Sequence, residues 1–329
     1  MPAKTRSATG VHSFHPLKLA NISIDFESLY HYSETLGLNH PDRDRDYERI
    51  VDRFLDLFAE LGVRATFFMV GDDIRLKKLT PDVLKRMVAA GHELANHTMT
   101  HPHNLSRLSR ERKEEEIVGT ARLIESATGQ RVVGFRAPCL DVDEEIVDIL
   151  ERHGYWYESS VLPFYLKQVH AFAIGLVARG RFRSTGAWQN SFAPGNPYSP
   201  EHGKLHRRGS RTITEVPIAT VPIIRFPFYS TIHFALGQAS FDASYALVRR
   251  GRSQFTYELH SIDLADCAED GLRERYPGIE RHPCLKRPAS ENRKFLGHAI
   301  RRFQQDYTLT TMREMVGSLR PDANLLLAG

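Results

Sequence analysis

The chain has 329 residues, of which 41% are apolar and 26% are charged, and its formal net charge at pH 7 is +4. This composition is typical of a soluble globular protein with a large core, and the small net charge does not indicate nucleic-acid binding. Three cysteines are too few, and odd in number, for a disulfide framework, which favours a reducing compartment.

Residues 1–17 are predicted to be an N-terminal extension. They lack the continuous apolar core of a signal peptide. The most apolar later run, residues 216–237, is interrupted by Arg225, His233 and three prolines, so it cannot span a bilayer. We therefore expect a cytoplasmic protein.

Helical and strand-like segments alternate along the next part of the chain. Apolar residues at helical spacing, with Gly62 as a stop and Thr80-Pro81 as a start, predict four helices, at residues 47–61, 80–90, 109–128 and 143–153. Short strands are expected between them, at residues 64–70, 92–95 and 155–159. This alternation predicts either a parallel barrel or a doubly wound sheet.

Residues 164–211 interrupt the alternation with glycine, proline, serine and many basic side chains. They predict an insertion at the rim of the fold, where long loops act as lids or binding surfaces. Trp188 within this stretch could line the site, but burial is the expectation, since tryptophan contributes strongly to protein cores.

His97 and His101 suggest a metal site. Two histidines four residues apart lie on one side of a helical turn, from which both imidazoles can reach one divalent cation. A chance surface pair is the alternative in a chain with 16 histidines.

Three strand-like segments end in charged or titratable residues. Residues 21–27 end in Asp25 and Glu27, residues 134–139 carry Arg136, and residues 255–260 end in His260. Charged residues at the ends of successive strands are typical of a barrel with its site at one rim.

These motifs, in this order, resemble those of the NodB-homology polysaccharide deacetylases, which form carbohydrate esterase family four. The resemblance covers residues 18–265 and implies an α/β fold, a distorted (β/α) barrel of seven strands. It suggests one domain over residues 18–320, with a tail at residues 321–329. It also implies a metal-dependent hydrolase that removes an N-acyl group, above all N-acetyl, from an amino sugar, a polysaccharide or a glycoconjugate.

The resemblance implies a role for each matched residue around the metal. His97 and His101 would be ligands of Zn²⁺, with Co²⁺, Mn²⁺ or Ni²⁺ as alternatives. Asp25 would be the catalytic base and Glu27 the third ligand. The reverse assignment stays open, because the matching family motif has two adjacent aspartates and here Phe26 separates the acids. Residues 25 and 27 share one face of a strand, so both can reach the site.

The same resemblance implies roles for the other motifs. Arg136 would hold the base, and the backbone N–H of Cys139, which follows Pro138, would bind the oxyanion. His260 would be the general acid. The family's aspartate that orients this histidine has no clear match, although residues 215–217 (Glu-Val-Pro) lie in the expected region.

Two other functions stay open. The same fold could open cyclic amides or ureides, or remove formyl groups from lipid-linked sugars. A non-catalytic carbohydrate-binding module is the alternative of another class, although such a module has no need of an acid and a base.

The basic stretch at residues 273–302 is typical of a solvated face. The alternative role of this stretch is contact with an anionic substrate or a membrane surface. The sequence carries no signal for the oligomeric state.

Overall fold

A computed structural model of the chain describes residues 18–38, 40–41, 47–166 and 186–319. The strands of its central sheet are short and largely buried, because helices cover them. The strands are β1 (Leu19–Phe26), β2 (Thr66–Met69), β3 (Glu93–Asn96), β4 (Gly134–Phe135), β5 (Tyr157–Glu158), β6 (Pro200–Glu201), β7 (Lys204–Arg208), β8 (Thr214–Glu215), β9 (Gln254–His260) and β10 (Thr308–Leu309).

The helices alternate with the strands over the first half of the chain, as the periodicity predicts. They are α1 (Leu29–Thr35), α2 (Tyr47–Leu61), α3 (Gly71–Arg75), α4 (Pro81–Ala89), α5 (Arg110–Thr128), α6 (Glu144–Arg152), α7 (Ser230–Leu236), α8 (Gln238–Gly251), α9 (Leu272–Arg275), α10 (Ala289–Asp306) and α11 (Met312–Leu319).

The central sheet is parallel and runs in the order β9, β1, β2, β3, β4, β5 and β8. The short strand β10 pairs with the first two residues of β1. A parallel bridge between Ile218 and Thr256 joins the chain after β8 to β9. The prediction of a distorted barrel of seven strands is therefore confirmed, with β10 as an addition.

Local signals set the helix ends where the sequence predicts them. Thr80 Oγ1 accepts the N–H of Val83 at 3.4 Å and caps α4, and Asp143 caps α6 through the N–H of Ile146. Gly62 follows α2 with a φ of +62°, a left-handed value that glycine adopts without steric cost.

The described parts of the predicted rim insertion, residues 164–166 and 186–211, contain a short 3₁₀ turn and the antiparallel pair β6–β7. The prediction that Trp188 is buried is wrong, since 59% of the residue is exposed. Trp188 begins the surface turn and contacts the ring of Phe192, which is itself exposed.

The predicted N-terminal extension and C-terminal tail lie outside the described residues. All three cysteines, Cys139, Cys267 and Cys284, are free. In the part of the chain that the structure describes, no helix combines the length and the apolarity needed to cross a bilayer.

Candidate active site and metal centre

A cavity of about 490 Å³ is lined by residues from the carboxyl ends of the parallel strands. Because these strand ends meet at one rim, residues far apart in sequence converge there. Six predicted site residues line the cavity: Asp25, Glu27, His97, His101, Cys139 and His260. Arg136 lies beneath them and is fully buried.

Glu27, His97 and His101 form a candidate metal site. One nitrogen of each histidine and one carboxylate oxygen of Glu27 all lie within 4.8 Å of one another. Nε2 of His101 contacts Oε2 of Glu27, and this buried oxygen has no hydrogen-bond donor among the described residues. Two imidazoles and one carboxylate are a donor set of catalytic zinc sites, which leave a coordination position open.

The two histidines do not lie on the predicted helical turn. The chain after β3 forms an irregular loop in which Thr98 and His101 have left-handed φ values of +68° and +56°. Glu116 on α5 holds this loop, because its Oε2 accepts the N–H groups of Met99 and Thr100 at 2.9 and 2.8 Å. The imidazoles therefore converge through backbone kinks and a buried carboxylate.

The electrostatics of these groups fit a divalent cation. Burial lowers the pKa of His97 to about 4 and that of His101 to about 3, so both imidazoles are neutral at pH 7. Nδ1 of His97 lies 2.8 Å from the carbonyl oxygen of Arg136, which can only accept, so Nε2 is left with a free lone pair. Burial raises the pKa of Glu27 to about 7, and a bound cation would favour its carboxylate form.

We expect His97→Ala and His101→Ala each to abolish stoichiometric metal binding while the protein still folds, because each removes one of three ligands from a rim site. Mass spectrometry of metal content after dialysis measures this, with circular dichroism as the folding check. His103→Ala is the matched control, since His103 contacts the His101 ring but lies outside the three-ligand cluster. Wild-type metal content in both ligand variants would contradict the assignment.

Asp25 is paired with Arg136 rather than placed in the metal cluster. Nη1 of Arg136 donates to Oδ1 of Asp25 at 2.5 Å, and Oδ2 lies 3.8 Å from Nε2 of His97. Burial opposes the ionisation of Asp25, but Arg136, His97 and His260 together lower its pKa. Asp25 is therefore a charged group with one oxygen held by the guanidinium and the other beside a candidate ligand.

Arg136 is held in place by the strands around it. Its Nε donates to the carbonyl oxygen of Ser159 at 2.9 Å, and its Nη2 donates to the hydroxyls of Ser159 and Ser23. The guanidinium lies 4.2 Å from the centre of the Phe68 ring. The planar guanidinium of arginine, with its donors in fixed directions, is suited to binding several acceptors at once.

We expect Arg136→Met to lower the free energy of unfolding by about 3–5 kcal/mol, because it leaves buried carboxylates without their cation. Urea denaturation at pH 7 measures the change. The matched control is Arg110→Met, which removes an exposed ion pair with Glu145 and should cost about 1 kcal/mol or less. Equal losses of unfolding free energy in the two variants would show that burial of the Arg136–Asp25 pair does not increase its contribution to stability.

His260 ends β9 and faces several carboxyl groups. Its ring, Asp25 and Glu258 each place one ligand atom within 4.8 Å of the others. Burial disfavours the imidazolium, but the charges of Glu258, Asp25 and Asp263 outweigh it and raise the pKa of His260. Burial, together with Asp25, also raises the pKa of Glu258 to about 7, so Asp25 is the more acidic of the two.

Glu258 and Asp263 are site residues that the sequence analysis missed. Glu258 lies two residues before His260 on one strand, so the two share a face, and this spacing was a usable signal. Asp263 accepts the backbone N–H of His260 at 3.0 Å from the turn after β9, an arrangement without a sequence signature. Glu215 contacts Glu158 and the N–H of Val161 instead, and does not supply the missing aspartate.

The turn that begins at Pro138 carries the predicted oxyanion donor. Cys139 and Leu140 have φ values of +52° and +58°, a left-handed conformation that costs a non-glycine residue about 1–3 kcal/mol. The N–H groups of Leu140 and Asp141 close the turn, whereas the N–H of Cys139 has no acceptor in the described part of the chain. Burial raises the pKa of the Cys139 thiol, which argues against a nucleophilic thiolate.

Comparison with known proteins agrees with this geometry. The profile of the polysaccharide deacetylase family matches residues 42–157, which include His97, His101 and Arg136. A chitooligosaccharide deacetylase from Bradyrhizobium is 43% identical over 76 residues, which is 23% of this chain and 33% of that protein. Over residues 42–157 the chain is therefore similar to the polysaccharide deacetylases.

Other relatives extend the comparison. The peptidoglycan deacetylase of Helicobacter pylori is 26% identical over 122 residues, 36% of this chain and 40% of that protein. These matches span less than half of each curated relative. A structure described as a putative polysaccharide deacetylase from Mycobacterium smegmatis has a TM-score of 0.54 at 16% identity, covers 92% of this chain and 91% of its own, and shares the fold.

Proposed function

We propose that this protein is a metal-dependent hydrolase that removes an N-acyl group, above all N-acetyl, from an amino sugar, a polysaccharide or a glycoconjugate. The observation that carries this proposal is the convergence of three kinds of group in one cavity. The Glu27, His97 and His101 cluster, the ion-paired Asp25 and His260 all line it. The deacetylases among its relatives support the amide bond as the target.

The first step is the attack of water on the amide carbonyl. Asp25 accepts the proton of the attacking water, because Arg136 keeps this carboxylate ionised and leaves Oδ2 beside the candidate ligands. A divalent cation held by Glu27, His97 and His101 would supply Lewis acidity at the carbonyl and lower the pKa of the water. The N–H of Cys139 donates to the oxyanion that forms.

The second step is the cleavage of the carbon–nitrogen bond. An amine is too basic to leave as an anion, so the nitrogen must be protonated as the bond breaks. His260 has the raised pKa that this task requires, and it lies within 4.8 Å of Asp25. The products are a free amine and a carboxylic acid, which ionises to the carboxylate. Asp25 releases the proton that it took from water, and His260 regains a proton in place of the one that it gave to the nitrogen, so both groups return to their starting states.

The test is an assay of the zinc-loaded protein with N-acetylglucosamine glycosides, allantoin, small imides and N-formyl sugars side by side. We expect release of acetate from N-acetyl sugars, with loss of turnover in Asp25→Asn. Ring opening of allantoin or an imide without acetate release would assign the protein to cyclic amides instead. Sugar binding that is equal in wild type and Asp25→Asn, with no turnover in either, would identify a binding module.

A further inference from the structure

The cavity has an apolar side away from the candidate catalytic residues. We call this side the apolar wall, and it consists of Leu36, Leu140, Leu162, Tyr229, Ile232 and Ala235. Leu140 and Tyr229 pack against a buried cluster of Leu162, Phe164 and Ile218. The wall is therefore backed by core residues and keeps its shape.

Helix α7 supplies one face of the wall. Ile232 and Ala235 lie three residues apart, on the side of the helix that lines the cavity. Phe234 is buried in the core, and the ring of His233 stacks on that of Tyr257. Because the helix is anchored by these contacts, its apolar side is a fixed part of the cavity.

An apolar wall is a poor surface for a sugar chain. Each sugar hydroxyl that leaves water needs a hydrogen-bond partner, and an unpaired buried polar group is costly. Besides the phenols of Tyr32 and Tyr229, only Thr35 and Thr231 bring a hydroxyl to the described lining. The volume of about 490 Å³ lies within the range of pockets that enclose one small molecule.

Arg281 introduces a positive charge to this cavity. It comes from the basic stretch at residues 273–302 and is the only lysine or arginine among the described lining residues. Arg281 is exposed, and no carboxylate of the described residues lies within ion-pair distance of it. An unpaired guanidinium at the edge of a cavity is suited to a carboxylate or phosphate of a ligand.

The geometry points to a substrate of small-molecule size, in which an N-acyl amine carries an apolar group and an anionic group, rather than to a polysaccharide chain. The amide would lie at the candidate catalytic residues, the apolar group on the apolar wall and the anion at Arg281. This inference rests on the proposed hydrolysis of an N-acyl bond and specifies the groups that the substrate carries beside that bond. The N-acyl amine could belong to an amino sugar with an apolar aglycone or to a non-sugar amine.

The test compares four probes with the zinc-loaded protein. They are 4-carboxyphenyl N-acetyl-β-glucosaminide, phenyl N-acetyl-β-glucosaminide, N-acetylphenylalanine and chitotetraose. We expect kcat/KM for the carboxyphenyl glycoside to exceed that for chitotetraose by at least about tenfold, because an aromatic ring buried on the wall contributes that much. The ratio of kcat/KM for the carboxyphenyl glycoside to that for N-acetylphenylalanine shows whether the substrate is an amino sugar or a non-sugar amine.

Two pairs of variants assign the effect to the named residues. Arg281→Gln should lower the preference for the carboxyphenyl over the phenyl glycoside by roughly fivefold, whereas Arg287→Gln, an exposed arginine outside the cavity lining, should not. Ile232→Asn should lower kcat/KM for both aryl glycosides. Its control is Leu236→Asn, on the same helix but outside the lining.

Chitotetraose as the best substrate would overturn this inference and leave the proposed function intact. Absence of turnover with every probe would overturn the proposed function. The affinities of the carboxyphenyl glycoside and chitotetraose, measured by calorimetry, would then test the present inference. Tighter binding of the carboxyphenyl glycoside than of chitotetraose, weakened by Arg281→Gln, would support it. Equal or reversed affinities would overturn it.

Discussion

Asp25→Asn is expected to lower kcat by about 10²–10⁴-fold while the protein keeps its metal. The amide has nearly the shape of the carboxylate but cannot accept the proton of the attacking water. Metal binding should persist, because Asp25 lies outside the Glu27, His97 and His101 cluster and is paired with Arg136. Steady-state kinetics and metal content, measured on one preparation, check both parts.

Glu27→Gln is the matched comparison for this result. It removes the carboxylate whose oxygen lies with the two imidazoles, so metal content should fall together with turnover. Metal loss in Asp25→Asn with full occupancy in Glu27→Gln would reverse the two assignments. That outcome would also leave the Asp25 and Arg136 pair without its proposed role in proton transfer.

His260→Ala is expected to lower turnover of an amide by about 10²–10⁴-fold and that of an activated ester far less. The amine must be protonated as it leaves, whereas a nitrophenolate leaves without a proton. Rates with an N-acetyl amide and with nitrophenyl acetate, measured in the same variant, give the comparison. Equal losses on both substrates would show that His260 binds or orients the substrate and that another group is the acid.

The pH profile gives a second readout for His260. The acid form is present below its pKa and is lost as the pH rises through it, so the rate on the alkaline side should fall. Because Glu258, Asp25 and Asp263 outweigh burial and raise this pKa, the fall should lie at a higher pH than the pKa of an unperturbed histidine would give. We expect His260→Ala to flatten this alkaline limb, whereas an unchanged limb would assign it to another group.

The positions of the helices could be predicted because their signals are local. The caps at Thr80 and Asp143 act within one helical turn, and the apolar periodicity of α2 reports the buried face of that helix. Trp188 was mispredicted because burial depends on what packs against a residue. The residue type alone gives only a statistical preference for burial.

The candidate site shows the same division. The motifs around Asp25, His97, Arg136 and His260 indicated the reaction and the barrel through their resemblance to one family, since the alternation of helices and strands alone also fitted a doubly wound sheet. The spacing of His97 and His101 pointed to a helix, but a carboxylate on α5 and two left-handed residues shape their loop. Contacts between distant segments therefore set the conformation of this loop, and the local spacing of the histidines did not.

The sequence by itself determined the residue types that can carry the chemistry, the strands that bear them and the alternation that makes a parallel barrel. Only the tertiary structure decided that Glu27 joins the histidines while Asp25 pairs with Arg136, and that Glu258 and Asp263 surround His260. It also decided that Arg281 reaches the cavity of the site. The physical reason is that ligand distances and pKa shifts depend on burial and on charges brought together by folding, which spacing along the chain does not encode.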